Sequence, residues 1–248
     1  MNIVVAMKQI PDLQQIRIKD REPILDDVPS TFGSLDKNAL QAAVNLRDAM
    51  GGKVIALSIG NTELEDTVKE ALAAGADEAF LVADDEYGNL DSMQSALILA
   101  ESISKIKDVG LILLGEGSGD NYSGQTIGRV AELMDLPQIS YAKSIEINGN
   151  TVSVIRALED CEEHLEADMP AIISVVAEIN EIKIPSVTQI LKAAKKPKEV
   201  LDAGDIETEL PQSAVENISI WAPLNNRKKI VVKNTVELIE ALKIENLI

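Results

Sequence analysis

Four short aliphatic runs recur along the chain: NIVVAM (2–7), KVIALSI (53–59), AFLV (79–82) and VGLILL (109–114). Segments of helical length separate them. From Leu35 to Met50, Ala39, Leu40, Ala43, Leu46 and Ala49 fall at helical spacing, and Gly51-Gly52 stops the helix. Thr62 to Glu65 reads as a capping box for a second helix ending at Ala74, with Gly75 as its terminal glycine. Two more helices are predicted over Leu90–Lys107 and Ser123–Met134. Strands joined by helix-length crossovers are parallel, and right-handed crossovers put helices on both faces. The expected fold is therefore α/β: an open, mostly parallel, Rossmann-like sheet. Ligands are expected at the carboxyl ends of its strands.

After Pro137 the pattern turns β-rich, with runs at Ile139–Ile147, Thr151–Ala157 and Ala171–Ala177. Asn148-Gly149 is a hairpin signal, and Pro170 suits the first position of a strand. These runs are expected to extend the same sheet. Near the N-terminus, IRI and PIL (16–18 and 23–25) could pair as a small hairpin. Beyond Glu178, a helix is predicted over Ser186–Ala194 and another over Val236–Leu242. The stretch from Glu199 to Asn226 is polar and without period, the pattern of an arm or a disordered segment. The expected division is an α/β nucleotide-binding domain over 1–198, with a docking loop at 180–198, and a C-terminal arm over 199–248.

Composition narrows the function. A net charge of −18 argues against general affinity for nucleic acid or anionic membranes. Only 2% of residues are aromatic, so the core must be aliphatic, as in strands buried on both faces. The single cysteine, Cys161, allows no intrachain disulfide. No apolar run is long enough to insert in a membrane, and MNIVVAMKQIP lacks the character of a signal. A cytoplasmic location is expected.

The stretch LLGEGSGDNYSGQTIG (113–128) carries the main chemical signal. Gly119 to Thr126 fits a phosphate loop except that Gln125 stands at the lysine position. A neutral amide cannot neutralise a terminal phosphate, so triphosphate hydrolysis is not expected. What survives is glycine-rich backbone ahead of a helix start, a combination that favours an anion. The residue pattern alone fits a structural turn as well as a nucleotide site. Lys8 to Asp12 (KQIPD) follows the first strand, so it belongs to the same rim of the sheet. Glu159 to His164 contains metal-ligand residue types without a metal-site spacing, and reads as a solvated turn or edge strand. His164 is the only histidine, and no nucleophile elbow accompanies it. Neither a catalytic residue nor a metal site is expected. In the helix over 186–194, Val187, Ile190 and Leu191 form an apolar face beside Lys192, a helix-in-groove pattern.

Together these pieces resemble the β subunit of electron-transfer flavoproteins. VVAMKQIPD is similar to that family's first strand and loop, in a variant common among anaerobic bacteria. Ser34-Leu35-Asp36 with Ala39 and Gln41-Ala42 resembles its Asn-Pro-aromatic-Asp helix start. Leu57 to Gly60 and Ala71 to Asp77 resemble its second strand end and following helix. The glycine loop takes the place of its Asp-Gly-Asp-Thr-Ala-Gln loop, keeping Asp120 and Gln125. Val154 to Arg156, Glu159-Asp160, Glu163 to Leu165 and Pro170 to Ile173 resemble its signature. The chain departs at Gly33-Ser34, Asn121-Tyr122, Ile127-Gly128, Cys161 and Ser174. It also departs in the docking loop, where Ile182 to Ile184 replace Pro-Arg-Tyr and Val187 replaces a leucine.

The resemblance implies a heterodimer with an electron-transfer flavoprotein α subunit, serving a flavin-dependent dehydrogenase of lactate or acyl-CoA type. KQIPD is similar to the electron-bifurcating members, which implies FAD in this chain, NAD(H) as electron donor or acceptor, and ferredoxin or flavodoxin as the low-potential partner. The alternatives are AMP held structurally in a non-bifurcating carrier, or a stand-alone adenine-nucleotide sensor. The nucleotide would be lined by Ala6, Lys8, Gln9, Ser34, Ile59, Gly115, Asp120, Ser123, Gly124, Gln125 and Thr126. Val187, Ile190, Leu191 and Lys192 would dock the partner.

Overall fold

The structure is a computed structural model that describes residues 1–225 and 227–248. It divides into two compact units, one of residues 1–16 with 25–218, the other of 17–24 with 219–248.

In chain order the strands and helices are β1 (Asn2–Ala6), β2 (Gln9–Pro11), β3 (Arg17–Lys19), β4 (Glu22–Ile24), β5 (Ser30–Phe32), α1 (Ser34–Met50), β6 (Lys53–Gly60), α2 (Leu64–Ala74) and β7 (Glu78–Ala83). There follow α3 (Ser92–Lys105), β8 (Val109–Gly115), α4 (Thr126–Met134), β9 (Gln138–Asn148), β10 (Thr151–Ala157), β11 (Glu162–Asp168), β12 (Ala171–Val175), α5 (Val187–Ala193), β13 (Lys198–Leu201) and α6 (Thr235–Ile244).

The larger unit is built on one nine-stranded sheet in the order β11-β10-β9-β12-β8-β1-β6-β7-β13. From β9 to β13 every neighbouring pair is parallel; β9, β10 and β11 form an antiparallel wing. The expected open α/β sheet is thus present. Alternation along β1 divides the core: Ile3 and Val5 face α1 and α2, whereas Val4 and Ala6 face α3 and α4. Both layers are overwhelmingly aliphatic, which is how a chain this poor in aromatics fills a two-sided sheet.

Several local expectations shift. Thr62 caps no helix end. Its hydroxyl donates to Asp85 at 2.9 Å, and α2 starts at Leu64 with no side-chain cap. The capping box falls instead at Asp91, whose carboxylate accepts from the Met93 and Gln94 amides while Gln94 returns a bond to the Asp91 amide. α4 begins at Thr126, so Ser123 to Gln125 stay in the loop. The acidic cluster leads into edge strand β11, where Glu163 pairs with Arg156. β13 lies in the stretch read as arm. It adds a parallel edge to β7, and Leu201, Ala203, Ile206 and Leu210 pack on the α3–α4 layer.

Glu101 of α3 fixes that stretch. Its carboxylate accepts from the Glu207 and Thr208 amides, both at 2.9 Å, and pairs with Lys105. Burial would raise its pKa, but the Thr208 hydroxyl and the two amides outweigh it and hold the group at about 2. A lowered folded-state value means stability that is present above the ordinary 4.5 and lost as pH falls toward 2. Glu101→Ala is expected to cost about 1.5–3 kcal/mol, the range for hydrogen bonds to charged groups. Limited proteolysis checks it: cleavage near Thr208 should speed up, and an unchanged digestion pattern would refute the role.

In the smaller unit, β3 and β4 form the expected hairpin. Its Arg21 lies over the Trp221 ring at 4.8 Å and exchanges hydrogen bonds with Ala222. α6 is capped by Asn234 and carries exposed Val236, Leu238 and Ile239.

Candidate functional site

β1 lies between β8 and β6. The chain leaves β1 toward α1 on one face of the sheet and leaves β8 toward α4 on the other. Such divergence marks the topological switch point, where open α/β sheets take their ligands in a crevice at the carboxyl edge.

Lys8 and Asp120 span this crevice. The Lys8 ammonium donates to the Asp120 carboxylate at 2.7 Å, tying the β1 loop to the β8 loop. Burial would raise the Asp120 pKa, but Lys8 and the Ser118 hydroxyl together hold it below the usual carboxylate range. Asp36, in the first turn of α1, is buried beneath the pair. Its two oxygens accept from the Lys8 amide at 2.8 Å and the Gly115 amide at 3.1 Å. Burial is the main cause that raises its pKa to about 6, against the pull of those two amides.

The loop's glycines make room for protein neighbours. A side chain on Gly115 would meet Leu35 Cβ at 2.6 Å and Asp36 Oδ1 at 2.8 Å, so glycine is what lets α1 begin against β8. Gly117 lies under the Tyr122 ring. Tyr122 itself is 57% exposed with φ 46°, and the Glu116 carboxylate, by accepting from its hydroxyl, raises its pKa.

Beyond Tyr122 the loop is open. Ser123, Gly124 and Gln125 are exposed, and Gly124 has a φ of 64°. Gln125 is the N-cap of α4 but gives no side-chain cap. The first-turn amides of that helix therefore remain available to an anion. The Gln125 side-chain oxygen instead accepts from Ser92 at 3.2 Å and from Arg129 at 2.8 Å. This donor set suits a phosphate held by backbone amides, hydroxyls and flanking Lys8 and Arg129. It does not reproduce a phosphate loop, because the residue at the lysine position is a neutral glutamine whose oxygen is taken by Ser92 of α3 and Arg129 of α4.

The other expected residues are spread along the rim. Ala6 ends β1 beside Leu114 of β8 and Leu57 of β6. Ser34 is exposed at the start of α1, and Thr126 is the half-buried first residue of α4. Gln9 turns toward α2, donating to Thr67 at 2.7 Å. Ile59 pairs with Val82 of β7, further from the Lys8–Asp120 pair. Among the described residues no group of three His, Cys, Asp or Glu is placed to hold a metal ion.

Asp36, Arg129 and the Glu116–Tyr122 pair were not singled out as site residues by sequence. Asp36 carried a readable signal: it shares the buried stripe of α1 with Ala39, Leu40 and Ala43, and a carboxylate on an apolar stripe needs buried donors.

The α5 surface is a separate region. Ser186 caps the helix in a box with Gln189, and Ala193 is buried on the α2 side. Ile184, Val187 and Leu191 are 92%, 73% and 70% exposed, and Ile190 is 55% exposed. Lysines 192 and 195 are exposed, whereas Lys196 donates to the Leu72 and Ala76 carbonyls at the end of α2.

A family model described as electron transfer flavoprotein domain matches residues 24–206. The electron transfer flavoprotein subunit beta of Thermoanaerobacterium thermosaccharolyticum is 37% identical over 212 residues, covering 84% of this chain and 81% of that protein. The chain belongs to the electron transfer flavoprotein β-subunit family. Another relative, at 33% identity over 209 residues, is the caffeyl-CoA reductase-Etf complex subunit CarD of Acetobacterium woodii, with 83% and 80% of the two chains covered. The electron transfer flavoprotein subunit beta of Megasphaera elsdenii is 32% identical over 247 residues, covering 94% and 92%. The family assignment carries an electron-transfer role, and in flavoproteins the redox chemistry belongs to the cofactor. Among the described residues no helix is long and apolar enough to cross a membrane.

Proposed function

We propose that this electron transfer flavoprotein β subunit holds FAD in the β1–β8 crevice, pairs with an α subunit, and carries electrons between NADH and a flavin dehydrogenase by flavin-based bifurcation. The observation that carries the reading is the crevice itself: a Lys8–Asp120 bridge over a switch point, beside an α4 N-terminus left uncapped. The KQIPD loop supplies one side of that bridge, and it is the segment that resembles bifurcating members. When bound, FAD supplies hydride acceptance from NADH and onward release of single electrons. The chain's own residues bind and orient: Lys8, Arg129 and the α4 amides face phosphate, and Ser123 and Thr126 offer hydroxyls. The A. woodii relative, named as part of a caffeyl-CoA reductase complex, favours an acyl-CoA-type dehydrogenase as the partner. The exposed α5 face fits that docking role, and α6 with the polar C-terminal stretch fits an arm on the α subunit.

Nucleotides released from the denatured α–β complex test the reading. Two FAD per heterodimer support it; one FAD with one AMP would make this chain a structural nucleotide holder without bifurcation. A monomer binding ATP without an α subunit would indicate a sensor. For the site itself, Asp120→Ala with Gln125→Ala is expected to leave the melting temperature nearly unchanged and to speed loss of this chain's nucleotide on dialysis at least tenfold. That factor corresponds to about 1.4 kcal/mol of lost retention. Full retention in the double variant would move the site elsewhere.

A further inference from the structure

Among the described residues, Asp36 is the one buried carboxylate whose partners come from both walls of the crevice. Its side chain is almost closed to solvent. One oxygen holds the amide that follows β1 and the other the amide that ends β8. The geometry leaves little slack. Gly115 has no side chain where Asp36 Oδ1 sits, and α1 is packed along the sheet by Ala39, Leu40 and Ala43. The carboxylate is thus fixed from behind and pulls on two loops in front. The same two loops carry Lys8 and Asp120, which meet above it.

We propose that Asp36 is a positioning residue that sets the spacing of the β1 and β8 loops, so that the crevice grips its nucleotide only while the Asp36 carboxylate is ionised. The claim rests on the FAD reading for the identity of the ligand, but not for the clamp. An ionised carboxylate offers lone pairs to both amides. A protonated one still has lone pairs but loses the charge that strengthens both bonds, and an asparagine goes further by setting an NH2 donor against one of the amides. The charged groups facing Asp36 are Lys8 from the β1 loop and Asp120 from the β8 loop. Lys37, next to it on α1, turns away to Glu70 and Thr31.

Burial supports a switch in an accessible range, because it raises this group from 3.8 to about 6. The sign is informative. A raised folded-state value means the folded chain takes up a proton that the unfolded chain does not. This group therefore makes the fold more stable as pH falls from 6 toward 3.8, not less. Nucleotide lost in that window would report the loops rather than unfolding.

The test uses the intact α–β complex. In the wild type, release of bound nucleotide is expected to accelerate about tenfold between pH 7.5 and pH 5, on the scale of one charge-assisted hydrogen bond. Over the same interval, peptides containing Lys8 and Gly115 should lose hydrogen-exchange protection. Asp36→Asn should release nucleotide fast at both pH values and show weak protection at both. A variant that retains nucleotide with the wild-type pH profile, or that only melts earlier while keeping that profile, overturns the proposal. Should Asp36→Asn fail to fold, the wild type decides: release and protection that are flat from pH 7.5 to pH 5 overturn it. If the complex holds no nucleotide in this chain, the FAD reading fails, while exchange at the two amides still tests the clamp.

Discussion

Gly115→Ala is expected to lower stability by about 1–3 kcal/mol and to strip the proposed nucleotide from the complex, a large response to one methyl group. The reason is what the methyl would meet. Its nearest neighbours are Leu35 Cβ at 2.6 Å, Asp36 Oδ1 at 2.8 Å and the Leu35 carbonyl carbon at 3.0 Å. None is the far end of a mobile side chain. β8 cannot retreat, because it is hydrogen-bonded between β12 and β1. Relief must come from α1 tilting away, which breaks the Asp36 bond to the Gly115 amide and opens the crevice. Gly117→Ala is the internal control. There the obstacle is the Tyr122 ring, 57% exposed and held by an exposed hydroxyl bond to Glu116 rather than by packing, so the cost should be well under that of Gly115→Ala. Denaturant unfolding of both variants checks the contrast. Equal midpoints would show that the α1–β8 contact is not the tight point of the site.

What sequence revealed and what it hid divide along physical lines. The four parallel strands were legible because each is buried on both faces, so its aliphatic run is continuous and stops at polar residues. β13 was not, because KEVL adds a short edge strand and only its end, Leu201, packs on the core. Its place comes from β7 and from the Glu101 bonds to residues 207 and 208, which no local pattern encodes. At the site, the two loops could be placed on one rim from strand order. That Lys8 would reach Asp120, 112 positions away, could not. The capping box at Thr62 was legible as a pattern, but the side chain is turned to the β7 turn instead, where its hydroxyl and its amide both donate to Asp85. Asp91 is an ionisable acceptor with two oxygens: one takes the Met93 and Gln94 amides of α3 while the other takes Ser213 and Ala214.

On the proposed docking role of α5, Val187→Glu with Leu191→Glu is expected to slow electron transfer to the dehydrogenase about thirtyfold or more, while nucleotide content and melting temperature stay at wild-type values. The expectation combines two observations on one short helix. α5 is held from below, by buried Ala193 and by the Ser186–Gln189 box, so its backbone does not depend on the outward side chains. Val187 and Leu191 lie one turn apart at 73% and 70% exposure, with Ile184 just before them at 92%. Large apolar side chains left this open in so acidic a chain fit a contact that a partner covers. Replacing exposed residues rarely shifts stability by more than about 0.5 kcal/mol. Placing two carboxylates at the centre of an apolar contact costs about 2 kcal/mol or more of binding, hence the thirtyfold figure. The loss should appear as a raised half-saturating dehydrogenase concentration with the plateau rate preserved, since the redox groups are untouched. Lys192→Glu separates apolar contact from charge: at a rim it should change the association rate and its salt dependence more than the affinity. A double variant that transfers electrons at the wild-type rate at low dehydrogenase concentration would remove α5 from the docking surface, and would leave its exposed face without a partner to explain it.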